Sequence, residues 1–584
     1  TSTPLAFWRV ISTNSGAADT NDAYFTVRGS RQLKYYVNDT GTVGDVYCSA
    51  LGNVNNTGLS TNSPLSGIQE VLDRYGLGPG DVVYVDTGYY VITSSVTVAF
   101  GDQGTQGNPL MIVGSTNNAA GGAVLDRQNI GSPVVVLSSA DYVTLQNLTL
   151  RGGSYGLQLS SAHNNVLENI KARNNGVGFC GDTASTNCFL RCVAYGNSTG
   201  FQGFTLRNEW INGVSWGNTV VAFSPSTETT VTISNSVIAG GTAFAAGVVP
   251  TNSDYNIFWN TALGYTSMNE FQKARGWWHS MFTDPLFVNP EQLDFHPQSV
   301  VGTYSNGTWI TTYTNHSPCI DMGDPVSVCT NEPPPNGTNI NIGVYGNTVE
   351  ASKSRTNEWL QVMNFNDGGT LSATDATDTV YWNAGHYPPG ATVRIELSRS
   401  SGSPGSWEVV ATGLLASAGS YAWICTNYSS SIHARWRVVY EFNPAVYSAT
   451  TYTNFIYRNG RFEFFVNDGS TSNDVFCTAP GSDANLGTSP GAPKATLKSL
   501  LSDHDLQPGD IIFIDTGYYT VNESYSITAM DGGGTNGYVY IQGSTNSVGQ
   551  GTVLNGNSGT YCPLDINGAS YIDIRDITVT NAPV

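Results

Sequence analysis

Charge is what this 584-residue sequence has least of: Asp, Glu, Lys and Arg make up 12% of it, about half the roughly 25% usual in soluble domains. Bases are scarcest, 24 Lys and Arg against 44 acids, for a net charge of −20. A surface that acidic repels phosphate backbones, which argues against a nucleic-acid partner. No run approaches the roughly 18 apolar residues of a membrane span. No signal-peptide pattern follows Thr1, so any targeting segment is expected outside this window. None of the nine cysteines forms the C-x-x-C pair of a zinc site. Cys180, Cys188 and Cys192 lie close together and read as small buried residues of neighbouring strands rather than a metal centre. Cys319 and Cys329, flanking a short Asp/Gly/Pro loop, are a candidate disulfide. This usage suits an oxidising, extracellular setting.

What is present is a repeat. Tyr36-Val37-Asn38-Asp39 returns as Phe465-Val466-Asn467-Asp468, Cys48 as Cys477, and Asp86-Thr87-Gly88-Tyr89-Tyr90 as Asp515-Thr516-Gly517-Tyr518-Tyr519, each at an offset of 429 residues. Gly114-Ser115-Thr116-Asn117 and Tyr142 recur at the same spacing, which marks a duplication without net insertion. Trp8-Arg9-Val10 matches Trp436-Arg437-Val438 at an offset of 428, in the module preceding the second copy. Both termini are therefore expected to cut through domains. Phe7, Trp8, Val10, Tyr24, Phe25 and Val27 at one end, and Ile572, Ile574, Ile577 and Val579 at the other, want partners, so a longer chain or a head-to-tail polymer of self is expected.

Beyond residue 110, short apolar strands alternate with Asn and Gly. The segments beginning at Asn147, Asn169, Cys192, Asn212, Asn235 and Asn256 follow one another at steps of 22, 23, 20, 23 and 21 residues. One coil per step is the signature of a solenoid. Asn147, Asn169, Asn235 and Asn256 are predicted to superpose in one turn, because Asn tolerates the left-handed region. Apolar residues at 65, 68, 71, 72 and 75 predict a helix capping the solenoid's open end, with a counterpart from Ala495 to Leu501. From 352 to 458 the pattern changes to short strands at regular spacing around Trp382, Trp423 and Trp436, a sandwich in which all three tryptophans are predicted to be buried.

The run from Tyr36 through Gly58-Leu59-Ser60 and Gly78-Pro79-Gly80-Asp81 to Gly88-Tyr89-Tyr90 resembles the start of secreted bacterial right-handed parallel β-helix proteins of the pectate-lyase-like superfamily. Gly104-Thr105-Gln106-Gly107-Asn108-Pro109 is similar to a loop of polysaccharide lyases with that fold. Asp284-Pro285-Leu286-Phe287, Asp294-Phe295 and Ser317-Pro318-Cys319-Ile320-Asp321 resemble the usual end of such helices, and 352–458 looks like Ig-like or fibronectin-type spacers. The resemblance covers 35–350 and 464–584. It implies fold more than activity, since enzymes, adhesins and surface proteins share it.

The reading is an all-β chain: a right-handed parallel β-helix (solenoid) plus an Ig-like β-sandwich, tandemly repeated. Residues 1–30 are the last strands of a preceding sandwich, 31–351 a β-helix, 352–458 a sandwich, and 459–584 the first part of a second β-helix. The leading functional expectation is a non-enzymatic structural unit of an extracellular fibre, sheath, surface layer or giant adhesin. The alternative is a secreted carbohydrate-active enzyme, polysaccharide lyase-like, or a glycan-binding protein. A lyase needs cations for the uronate carboxylate and a Lys or Arg base. Arg151 and Arg173, each four residues after a ladder Asn, should stack on adjacent coils beside Lys171, and these three are the candidate glycan contacts; the competing reading is a solvated turn pair. Arg127 and Arg191 are further bases of the helix. His279 and His296 read as solvated or capping, and Trp277-Trp278 as a helix cover or a sugar platform. No cofactor is expected, with Ca²⁺ considered only at acidic turns such as Asp367-Gly368-Gly369. Polysaccharide is the one external partner considered.

Overall fold

The computed structural model describes residues 3–22, 25–27, 32–228, 231–245, 248–265, 267–372, 378–424, 430–444, 448–504, 506–535, 537–557 and 562–582. Residues 34 to 282 form a right-handed parallel β-helix of three sheets. An eight-stranded sheet runs from Lys34–Val37 to Val231–Ser234, a nine-stranded sheet from Gly88–Val91 to Met281–Phe282, and a seven-stranded sheet from Val96–Ala99 to Thr242–Phe244. Each coil gives one strand to each sheet, as Val143–Gln146, Leu148–Gly153 and Tyr155–Ser160 do. Strands stack in register, so side chains at one height share one fate. Leu145, Leu167, Phe189, Trp210 and Ile233 form one inward row, all fully buried. Each contributes about 1.5–3 kcal/mol of apolar burial.

The turns hold the coils at constant pitch by two kinds of ladder. On the left-handed ladder stand Asn147 (φ 56°), Asn169 (φ 54°), Arg191 (φ 54°), Asn212 (φ 52°), Asn235 (φ 50°) and Tyr255 (φ 58°). Asn147, Asn169 and Asn235 superpose as predicted, and Asn256 does not. It sits one residue later, level with Ser236, whose amide donates to its Oδ1. The coil before it is one residue shorter than the Asn-to-Asn count implied, and Tyr255 takes the left-handed place. The Cys192 segment is likewise one residue out, because Arg191 holds that place. The second kind of ladder is buried. Asn165, Asn187 and Asn208 bond amide to carbonyl at 3.1 Å per step, and Asn175, Asn197 and Asn218 do so at 3.3 and 3.1 Å. Their oxygens also accept backbone N–H groups that the turns leave inside the wall.

The helix Ile68–Arg74 buries Ile68, Val71 and Leu72 over the first coil, and Leu497–Asp503 buries Leu497 and Leu500 in the second copy. A helix not read from the sequence, Met268–Arg275, starts on the Ser267 hydroxyl, ends on Gly276 (φ 75°) and packs Phe271 onto the last coil. Between 359 and 458 two mostly antiparallel sheets enclose their own core. Trp382, Trp423 and Trp436 are at most 3% exposed there.

Residues 463–580 form a second set of three parallel sheets. The duplication persists in the bonds around one buried carboxylate. Asp86 accepts the amides of Val46, Tyr47, Cys48 and Thr87, and Asp515 those of Val475, Phe476, Cys477 and Thr516. Thr3–Ala6 pairs with Phe25–Val27, and Arg9–Ile11 with Ala18–Thr20. Phe7, Trp8, Val10 and Val27 are exposed; Tyr24 and the Phe25 side chain lie outside the described residues. Ile572, Ile574 and Ile577 pack partly against the second core, and Val579 is exposed.

The ladders set a stability prediction. Asn187→Ala strands the backbone N–H and the side-chain amide of Asn165 in a dry turn and should cost about 1–3 kcal/mol per orphaned group. Asn169→Gly keeps the left-handed backbone and loses one half-buried bond, about 0.5–1.5 kcal/mol. Urea unfolding of the two variants should rank them in that order.

Candidate functional site

The outer face of the nine-stranded sheet changes character along its length. One outward row runs Tyr89, Val124, Thr149, Lys171, Val193, Val214, Val237, Ile257 and Met281. From Val193 onward it is apolar on a face that would otherwise meet water. The chain covers it with the segment that follows the last coil, laying Phe287, Phe295, Met322 and Ile342 on those valines. The cover stops at Val193. Its edge forms one wall of an open cleft of about 500 Å³ whose floor carries Thr149, Lys171 and Arg173.

Arg151 and Arg173 are register partners on adjacent coils, with Lys171 two residues before Arg173 on the same strand. Arg151 Nε lies 3.4 Å from Asp126, which also takes the Tyr89 hydroxyl as donor. Among the described residues no carboxylate comes within ion-pair distance of Lys171 or Arg173, and the Nε atoms of both arginines are buried without a hydrogen-bond partner. Burial, then Arg173, pulls the Lys171 ammonium below its usual range, while Glu350 and Asp294 oppose the pull. Burial and then Arg151 lower the Arg173 guanidinium. Two adjacent cations without counter-ions are electrostatically unfavourable in the empty cleft, and an anion placed there relieves them.

The wall supplies groups that the sequence reading did not place beside Lys171 and Arg173. His296 is buried, stacks on Tyr345 with ring centres 3.4 Å apart and holds Asp294 through Nδ1 at 2.6 Å. Its Nε2 is 3.8 Å from Glu350, an ion pair too long for a hydrogen bond. Burial disfavours its charged form, yet Asp294 and Glu350 outweigh burial and raise its pKa. His296 is thus a wall residue and not the solvated or capping histidine expected. Tyr304 and Glu350 complete this side. The usable signal was the two-sided apolar character of 193, 214, 237 and 257, which demands a covering segment and points to its edge.

Other expectations resolve as follows. Cys319 and Cys329 are both free, which corrects the candidate disulfide. Cys319 is fully buried in the cover with its thiol on the Pro285 carbonyl, whereas Cys329 points to the Thr338 carbonyl in a loop. Burial pushes the thiols of Cys180 and Cys188 up to about 11 each, and the two lie on different sheets. Arg191 pairs with Glu168. His279 pairs with Asp254 and stacks on Tyr255. Trp277 is wholly buried, and Trp278 stacks on Tyr381. Asp367 accepts the Met268 amide. Among the described residues no group of three or more His, Cys, Asp or Glu is placed to hold a metal, and no helix is long and apolar enough to cross a membrane.

No family model and no curated protein matches the chain. Two solved structures are similar to parts of it. An alginate lyase from Paenibacillus sp. strain FPU-7 aligns at 18% identity and a TM-score of 0.27, over 33% of this chain and 73% of its own. Pectate lyase Pel9A aligns at 16% identity and a TM-score of 0.32, over 54% of this chain and 96% of its own. The β-helix itself is defined by the strand register described above.

Because the His296 pKa is raised in the folded state, His296 contributes stability that is full below its unfolded value of about 6.5 and is lost as pH climbs through the folded value. Its imidazole signals in NMR should titrate above about 6.5, and Glu350→Gln should bring the midpoint down. A midpoint unmoved by that change would remove Glu350 from the wall's electrostatics.

Proposed function

We propose that this chain is an extracellular β-helix rod that binds an acidic polysaccharide in the cleft over Lys171, Arg173 and Arg151. The observation that carries the proposal is the Lys171–Arg173 pair, which among the described residues has no carboxylate within ion-pair distance in a chain of net charge −20. Arginine forks bind carboxylates two-pronged, and sugar rings have Tyr304 and Tyr345 as flat neighbours. Solenoid coils repeated in a second copy, with the hydrogen bonds of Asp86 matched at Asp515, suit a stiff carrier, so scaffold and glycan binding belong to one molecule.

A second reading, β-elimination, is favoured by the depressed Lys171 ammonium. A neutral Lys171 Nζ would take the proton α to a uronate carboxylate held by Arg173. The carbon–carbon double bond would form as the glycosidic carbon–oxygen bond breaks, with the leaving oxygen protonated from water.

Titration with polygalacturonate or alginate should show binding that weakens with salt. Lys171→Ala and Arg173→Ala should each cost about 1.5–3 kcal/mol, roughly tenfold or more in Kd, while a neutral glucan should not bind. Binding without new unsaturated uronate absorbance is the outcome of the first reading. Absorbance that grows and vanishes in Lys171→Ala is the outcome of the second. No binding to any acidic polymer would sink both.

A further inference from the structure

We infer that the joint between the β-helix and the sandwich holds a second site, shaped for one anionic sugar unit. An open pocket of about 490 Å³ lies between the end of the helix domain and strands Trp359–Val362 and Ser448–Thr450, within the range of small-ligand sites. Arg355, half-buried, lines it and has no carboxylate within ion-pair distance among the described residues, although Asp284 and Asp321 line the same pocket. Asp321 is turned to other work, accepting Gly337 N–H and the Ser354 hydroxyl. His316 faces the pocket with Nδ1 buried and unpartnered. Burial and the nearby Arg355 charge hold its pKa down, at about 3, so it stays neutral.

Backbone strain converges on the same wall. Leu286 has φ 49° and Asp321 φ 59°, and for a bulky apolar residue such as Leu286 the left-handed region is costly unless the surroundings impose it. Trp359 lines the opposite side, packed so tightly against Gly385 that a Cβ there would come within 2.3 Å of its indole nitrogen. Tyr452, 59% exposed, stands at the rim. A guanidinium without a counter-ion, a neutral unpartnered imidazole and two aromatic rings around one space match a six-membered ring bearing a carboxylate or a sulfate ester. The site shares no residue with the cleft. It rests on the acidic-glycan reading only for the choice of probe.

The test uses the full chain with the cleft silenced by Lys171→Ala and Arg173→Ala together, titrated calorimetrically with trigalacturonate and with a sulfated carrageenan disaccharide. One residual binding event is expected, weakened about tenfold or more by Arg355→Gln. Ser448→Phe, which narrows the mouth without removing a partner, should abolish it while leaving the melting temperature unchanged. Preference for the first probe identifies a carboxylate site and preference for the second a sulfate site, and either supports the inference. Failure of both probes to bind the silenced chain, or binding indifferent to both Arg355→Gln and Ser448→Phe, overturns it. Loss of joint binding with cleft binding intact in the unsilenced chain defeats this inference alone; the converse defeats only the cleft reading.

Discussion

A closed solenoid wall turns backbone amides inward at every corner, and each must find an acceptor where no water reaches. Here the acceptors are asparagine side chains. Asn165, Asn187 and Asn208 line one corner, and Asn175, Asn197 and Asn218 another, each taking the amide of the coil beside it and donating onward. The requirement fixes corner geometry coil after coil, and the corners fix strand register. Register in turn places Leu145, Leu167, Phe189, Trp210 and Ile233 at one height in the core. Without that register there would be no outward rows and no place for a site.

The site follows from an imbalance in one outward row. Where the nine-stranded sheet shows Val193, Val214, Val237 and Ile257, burial under a cover is favourable by about 1.5–3 kcal/mol for each side chain. Where it shows Thr149 and Lys171, a cover would have to desolvate an ammonium. The covering segment therefore ends at that border, and the cleft is the step between the two regimes. Asp294, His296 and Glu350 stand at the step because they belong to the last covered stretch, not because they are near Lys171 in sequence.

Much of this was legible beforehand. The offset of 429 residues and the coil steps gave the architecture, and the positions of Arg151 and Arg173 relative to Asn147 and Asn169 gave their stacking. Counting from Asn to Asn failed at Asn256 and at Cys192, because the left-handed place accepts Arg191 and Tyr255 as well, and residue identity marks that place only on average. The buried ladders were invisible for a related reason. An Asn in a turn and an Asn aimed into a wall occupy similar strings, and only the register separates Asn165 from Asn169. His296 was misjudged because, besides the adjacent Asp294, the groups that wall it in, Glu350 and Tyr345, lie some fifty residues further along the chain, a placement no local pattern carries.

The charge distribution gives these placements their direction. Most cations that the described residues bury are matched: Arg458 to Asp510, Lys273 to Asp378, Arg275 to Glu228. Lys171, Arg173 and Arg355 are not, in a chain with twenty more acids than bases. Supply of carboxylates is therefore not what limits pairing at these three positions. A net negative body repels a polyanion at long range, yet that repulsion is screened beyond about 8–10 Å at physiological salt. A carboxylate set about 4 Å from an ammonium near a protein surface gains about 4 kcal/mol before desolvation is charged against it. The local attraction outweighs the distant repulsion only where cations stand unneutralised and half-shielded from water. The cations of the cleft and of the joint meet that condition, so the binding proposed at each would depend on contact and not on long-range steering.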